Sequence, residues 1–374
     1  MKFKPPTFLF ILCFFLSCFT HNVQAQDTLP LKFSERFIKK LTKKRDYLVF
    51  PQIGRSPETG FLSGIYYLQL FKIGHDSTAR TSNTETTISF TQHRQFLAEL
   101  NNTILFHKEK FILRGTNSFS KYSEFFWGVG SDSRREDREL VEFNTYQLVQ
   151  RLTYSFGHHV FAGLQYQYYQ VSDVRSKKGG LLDSLNFTGA HGSKTSGLGL
   201  LFLYDTRDNV INPTRGTYFD ASNFVNAKLL GSNYEFNNFT VDTRRYLPLG
   251  RHQVLAFQGL LNFNSGEIPF RQLAAMGGDI MMRGIYKGRY RDNNLLALQA
   301  EYRFQVWRFI GMTLFASGAE VTHEISNFNY SNVKYSYGFA FRLMLIEHER
   351  INVGMDFGFS KNTTAVYIGL GEAF

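Results

Sequence analysis

Two stretches of this chain concentrate charge and glycine at spacings that suggest chemistry. The first is "GGDIMMRGIYKGRYRD" (Gly277–Asp292), with four glycines, three arginines, a lysine, two aspartates and two tyrosines. An arginine drawn into a confined space needs an acid, because a buried unpaired guanidinium is costly. Gly277, Gly278, Gly284 and Gly288 suit a segment that bends sharply and passes close to other backbone. Lys287, Arg289 and Arg291 face either lipid phosphates or plain solvent. The second stretch is "DTRDNVINPTRG" (Asp205–Gly216). Its charges offer contacts to a partner. Equally, its Asp and Asn residues offer turn hydrogen bonds, with Pro213 fixing φ and Gly216 releasing the chain.

Enzyme chemistry is not expected. The chain has no G-x-S-x-G, no H-E-x-x-H and no phosphate-cradling P-loop. His158 and His159 are adjacent, so on a strand they point to opposite faces and do not share a metal. No cofactor and no metal are expected.

The elements that hold these stretches read as β-strands. In "LLALQAEYRFQ", Leu296, Leu298, Ala300, Tyr302 and Phe304 share one parity. Gln299, Glu301, Arg303 and Gln305 share the other, as a two-sided pleated strand requires. "HHVFAGLQYQYYQV" repeats the pattern, with Gln165 and Gln167 opposite Val160, Ala162, Leu164, Tyr166 and Tyr168. "GFLSGIYYLQLFKI" sorts less cleanly: Leu62, Tyr66, Leu68 and Leu70 form an apolar side, but Phe61, Ile65, Phe71 and Ile73 lie opposite.

Such alternation predicts strands at 47–54, 60–73, 81–91, 95–106, 110–119, 139–155, 158–173 and 194–206. It continues at 215–228, 233–247, 252–265, 293–305, 309–321, 334–346, 349–359 and 364–373. Most are long enough for the roughly 9–11 residues of a tilted membrane crossing. Sandwich strands usually run to about five or six. Tight connections ("FGHH", "PLGR", "EHE") follow even-numbered strands, and the long ones (120–138, 174–193, 266–292) follow odd-numbered strands. Short turns on one side and long loops on the other are the rhythm of an outer-membrane barrel. The fold class expected is all-β: a transmembrane antiparallel β-barrel of about sixteen strands. Val366, Ile368, Leu370 and Phe374 are assigned to the lipid side of the last strand, and Ala365, Gly369, Gly371 and Ala373 to the lumen.

Composition agrees. Aromatic residues make up 16% of the chain, with 39 Phe and 20 Tyr, although mean hydropathy is slightly negative at −0.24. No apolar run approaches the ~20 residues of a spanning helix. Residues 1–25 have the layout of a secretory signal peptide, from Lys2 and Lys4 through "FLFILCFFLSCF" to a small-residue site at Ala25. Cys13 and Cys18 both lie in that segment, so neither disulfides nor thiolate metal sites are expected beyond it. Residues 26–46 read as a short basic periplasmic segment, and 47–374 as the barrel. The net charge of +11 favours anionic neighbours such as lipid phosphates, including lipopolysaccharide, over nucleic acid for an exported chain.

Four segments carry a family resemblance. "PQIGRSPETGFLSG" (Pro51–Gly64), "LGLLFLYDTRDNVINPTRGTYF" (Leu198–Phe219), "MGGDIMMRGIYKGRY" and "INVGMDFGFSKN…GEAF" together resemble the BamA/TamA-type outer-membrane assembly barrels, the bacterial surface antigen family. The second segment matches a strand–turn–strand signature at Asp205, Arg207, Asp208, Asn209, Pro213 and Gly216. The third resembles the family's sixth extracellular loop, with Arg283, Gly284 and Tyr286 at its tip. The resemblance implies that this loop occupies the lumen and that its arginine docks on the inner wall. It places the acid partner within "LFASGAE", where this chain carries Ser317. By parity Glu301 and Asp356 point inward, as do Arg303, Arg342 and Arg350, so Glu301 or Asp356 is expected to hold Arg283. Alternatively these residues simply satisfy one another in a closed lumen.

The resemblance further implies a Gram-negative outer-membrane protein that moves protein or lipid through or beside a lateral seam. Gly369, Gly371 and Phe374 are assigned to that seam, since glycine weakens a strand interior. The alternative is a passive channel, or a structural or accessory barrel. Residues 26–46 leave no room for the POTRA domains of the family, so the chain is expected to be of a POTRA-less branch and to depend on a separate periplasmic or outer-membrane partner.

Overall fold

In a closed sheet, alternate residues must face the enclosed space, so each strand needs one parity that tolerates burial. A computed structural model of the protein describes residues 47–56, 59–71, 73, 82–106, 110–346, 350–361 and 363–374. The expected signal segment (1–25) and basic segment (26–46) lie outside the described residues.

The chain forms β1 (Tyr47–Ser56), β2 (Gly60–Phe71), β3 (Ser82–Thr91), β4 (Phe96–Phe106), β5 (Phe111–Phe126) and β6 (Glu139–Gly157). It continues with β7 (Val160–Arg175), β8 (Ser193–Asp205), β9 (Gly216–Asn226), β10 (Phe236–Gly250) and β11 (Gln253–Gly266). A short pair follows, β12 (Ala274–Met276) and β13 (Tyr290–Asp292). The last five are β14 (Asn294–Trp307), β15 (Ile310–Thr322), β16 (Lys334–Ile346), β17 (Ile351–Ser360) and β18 (Thr363–Leu370). Leaving out β12 and β13, which pair only with each other, sixteen strands close into one antiparallel barrel, with β1 beside β18. Among the described residues no helix is long and apolar enough to cross a membrane.

Parity decides what each strand presents. On β14, Leu295, Ala297, Gln299, Glu301 and Arg303 are buried, while Leu298 on the other parity is 60% exposed. On β8, Leu198, Leu200, Phe202 and Tyr204 are exposed and Leu201 and Leu203 are buried. An outward apolar face of this kind needs lipid or another apolar cover.

Some expectations are corrected. On β2 the exposed side is Phe61 and Ile65, so Leu62, Tyr66, Leu68 and Leu70 lie on the inner parity. The partner strand decides this, because Leu68 sits opposite Glu85 and Gly64 opposite buried Ser89, while Ile65 faces exposed Ile88. β5 runs to Phe126, seven residues past its expected end at 119. His158 and His159 occupy a tight turn in left-handed backbone (φ 49° and 66°), not a strand.

The end of the chain departs most. β18 stops at Leu370, and Gly371 adopts φ +82°, which turns the last residues off the wall. Phe374 therefore has no lipid-facing position. Its ring is buried against Tyr246, Val254 and Ala256 on β10 and β11.

Candidate functional site

The segment between β11 and β14 is held in place by apolar packing and by charge. Met276, Met281, Met282 and Ile285 join Leu295, Ala297, Ala319 and Val321 in one buried cluster on β14 and β15. Burying each such side chain stabilises by about 1.5–3 kcal/mol. This is enough to offset some strain at Met282, a non-glycine residue at φ +59°.

Beside that cluster Arg283 is fully buried. It pairs with Glu301 on β14 and with Asp356 on β17, the latter at 2.6 Å, and stacks 3.7 Å from the ring centre of Phe315. Both acids named by parity thus contact the arginine. The contacts extend further. Glu301 also binds Arg303 at 2.7 Å, Asp356 binds Arg342, and Glu372 binds Arg342 at 2.8 Å and reaches Arg303 at 4.0 Å.

Arg283, Glu301, Arg303, Glu372, Arg342 and Asp356 thus close a six-membered ring in which the charges alternate and cancel. Neutrality is what makes so much buried charge tolerable, since each ion loses hydration but has two counter-ions beside it. Ser317, at the position where the resemblance puts the acid, takes no part; it bonds Ser336 at 2.7 Å. Arg350, also assigned inward, lies in the turn before β17 and binds Asp208 at 2.7 Å.

Two glycines let the loop lie against the wall. Gly284 adopts φ +105°, and a Cβ there would sit 2.7 Å from the carbonyl carbon of Gly358. A Cβ on Gly358 would in turn sit 2.5 Å from the Arg283 carbonyl carbon. The Gly284 amide donates to Tyr367 Oη at 3.3 Å, and Thr363 Oγ1 donates to the Gly284 carbonyl at 2.5 Å. Tyr286 packs at a tilt against Phe125 and edge-on against Trp127, and its hydroxyl accepts from the Phe125 amide. Gly358, Tyr367 and Glu372 were not singled out in the sequence. The signal was the run "GMDFGFS", which puts Gly354, Asp356 and Gly358 on one parity.

Of the basic residues in the loop, Lys287 is exposed, whereas Arg289 and Arg291 are bound to protein rather than solvated. Arg291 is buried on Glu124 (3.0 Å), which also pairs with Arg271. Arg289 donates to Ser133 and lies over Trp127 and Tyr290.

The β8–β9 connection folds by its own side chains. Asn209 Oδ1 accepts from the amides of Ile211 and Asn212. Asp208 accepts from Thr214 and Arg215 backbone, from the Thr214 hydroxyl and from Arg350. Burial works against the charged form of Asp208, yet the bonds from Arg350 and Thr214 outweigh it and hold the carboxyl at about 2. Arg207 pairs with Asp205 at 2.8 Å and lies over Tyr218. Pro213 is buried within the turn. At Gly216, φ is +113° and a Cβ would sit 2.3 Å from the Thr206 carbonyl oxygen, so only glycine fits. This turn also reaches the end of the chain: a Cβ on Gly371 would lie 3.4 Å from Ile211.

At the junction of first and last strands, Arg55 pairs with Ile368 in antiparallel register. On its other side β18 aligns with β17 from Val353↔Leu370 to Ser360↔Thr363 without interruption. Gly369 has nothing within 4 Å of where a Cβ would be, so it serves no packing contact. Among the described residues no group of three or more His, Cys, Asp or Glu is arranged to hold a metal ion.

Comparison with known proteins yields one family model and a set of similar folds. The model described as the Omp85 superfamily domain matches residues 72–374. No curated protein matches. The structure of BamA from Haemophilus ducreyi lacking POTRA domains 1–3 is similar with a TM-score of 0.61 at 16% identity, over 88% of this chain and 70% of that one. CdiB from Escherichia coli is similar with a TM-score of 0.56 at 11% identity, over 91% and 70%. CdiB from Acinetobacter baumannii gives 0.53 at 12% identity, over 93% and 69%.

Proposed function

This chain belongs to the Omp85 superfamily, a fold typical of Gram-negative outer-membrane proteins, and from that premise we propose that it is an outer-membrane insertion or translocation barrel. Clients, protein or lipid, pass through or beside the seam between β1 and β18. The loop that carries Arg283 sits in the lumen as a plug, fixed by the six-membered charge ring. The observation that carries this reading is where the barrel closes: β1 meets β18, while every other neighbouring pair of wall strands is joined directly by the chain. Ladder hydrogen bonds contribute about 0.5–1.5 kcal/mol each, and at this junction no turn or loop ties the two strands together, so they can part without pulling on a connection.

Register sets Gly54 beside Gly369. Cysteines fit at both, since a Cβ on Gly54 meets nothing closer than the Ile368 carbonyl at 3.4 Å and one on Gly369 meets nothing within 4 Å. The oxidised G54C/G369C barrel, reconstituted in vesicles, is expected to stop inserting an unfolded barrel client, and reduction to restore it. Full activity in the locked barrel would exclude lateral opening. The passive-channel alternative predicts instead a steady conductance in planar bilayers, altered by Arg283→Ala, with no effect on any client.

A further inference from the structure

At the end of the barrel where the short turns lie, a cleft of about 810 Å³ wraps over the rim between β11, β14, β15 and β16. Its inner end is built from buried side chains with unused hydrogen-bonding capacity. Arg303 and Thr313 sit directly opposite each other on β14 and β15. They are 6% and 1% exposed, and Arg303 Nη1 and Thr313 Oγ1 have no partner. Two idle donors side by side in a buried wall carry an unmet cost of desolvation, which an anionic oxygen would relieve.

The outer end has a different character. Arg251 and Arg308 line the cleft, and neither ion-pairs with a carboxylate among the described residues. Around them Val306 is 57% exposed and Trp307 74%. The register shift between Gln305 and Trp307 sets Trp307 opposite Ile310, which lies on the outward parity with exposed Leu314. The cleft therefore runs from a donor pair through a cationic rim onto the apolar outer wall.

We infer that this cleft binds an anionic phospholipid, with its phosphate at Arg251, Arg308, Thr313 and Arg303 and its acyl chains along Val306, Trp307 and Ile310. Free phosphate would use the donors but leave the apolar rim without a role. A neutral lipid would use the rim but leave two cations unanswered. A lipid with both features answers the idle donors, the two cations without a carboxylate and the apolar rim together. Tryptophan at this level also fits the aromatic belt that membrane barrels place at the headgroups.

The test is native mass spectrometry of the full protein in neutral detergent. The probes are phosphatidylglycerol, phosphatidylcholine with the same chains, and soluble glycerol 3-phosphate. One phosphatidylglycerol per barrel is expected at concentrations where the other two probes give no adduct. Arg251→Gln and Arg308→Gln should each weaken it about fivefold, the usual effect of one basic residue at an anionic surface. Thr313→Val should weaken it as well, with thermal unfolding of all three variants unchanged. Equal binding of both lipids would overturn the inference, as would glycerol 3-phosphate binding as tightly as the lipid. If a variant does not fold, the wild-type comparison of the three probes still decides.

Discussion

At the scale of single residues, Arg283 is where loop and wall become one structure. Removing it leaves Glu301 and Asp356 with one counter-ion each in a buried ring that then carries net negative charge. Breaking a buried pair in this way costs about 3–5 kcal/mol. Arg283→Ala is expected to lower the temperature at which the barrel loses its heat-modifiable mobility on semi-native gels. Arg283→Met, which likewise leaves each acid with a single counter-ion, should be as harmful. If both variants melt like the wild type, the ring contributes nothing net. Gly358 gives a separate prediction, because it bears no charge. A methyl there would press 2.5 Å from the Arg283 carbonyl carbon, between two stretches of backbone that have no flexible end to move. Gly358→Ala should expose the loop to protease while the strands stay intact, and an undigested loop would refute the close approach.

At the scale of elements, the β8–β9 turn and the chain terminus act as clasps. Asp208 is charged and bonded to Arg350 in the folded protein, with its carboxyl at about 2 against roughly 3.9 when unfolded. A depressed folded value means the stabilisation is complete above the unfolded value and is lost as pH falls through the folded one. Acid titration should therefore loosen this turn between about pH 4 and pH 2, and Asp208→Asn should flatten that part of the unfolding profile. A profile identical to the wild type would show that the pair adds no stability. The terminal segment couples differently. Glu372 binds Arg342 and lies 4.0 Å from Arg303, so the residues after β18 hold the same ring that holds the loop. Glu372→Gln should therefore raise protease sensitivity at the 277–292 loop, about 90 residues away in sequence, and an unchanged loop would exclude that coupling.

At the scale of the whole molecule, much of the barrel was legible in the chain. Sixteen wall strands followed from alternation and loop rhythm, and their ends mostly fell within two or three residues of those observed, because the pleat imposes a period of two on every residue of a strand. β2 was ambiguous since both its parities are apolar; only Glu85 and Ser89 on the neighbouring strand fix its inner face. Parity also placed Glu301 and Asp356 on the inside. It did not reveal that both meet Arg283, that Ser317 bonds Ser336 instead, or that Arg350 reaches Asp208. Phe374 was misplaced because parity was carried past Gly371, whose left-handed backbone ends it. The sequence by itself determined strand number, the oily and wet faces of most strands, and the identity of the charged loop, all of which are set by neighbours a few residues apart. Tertiary structure alone decided which charges close the ring, where the terminus goes and which strands meet at the seam. Those depend on residues tens of positions apart being brought together when the sheet closes, and no local pattern records that distance.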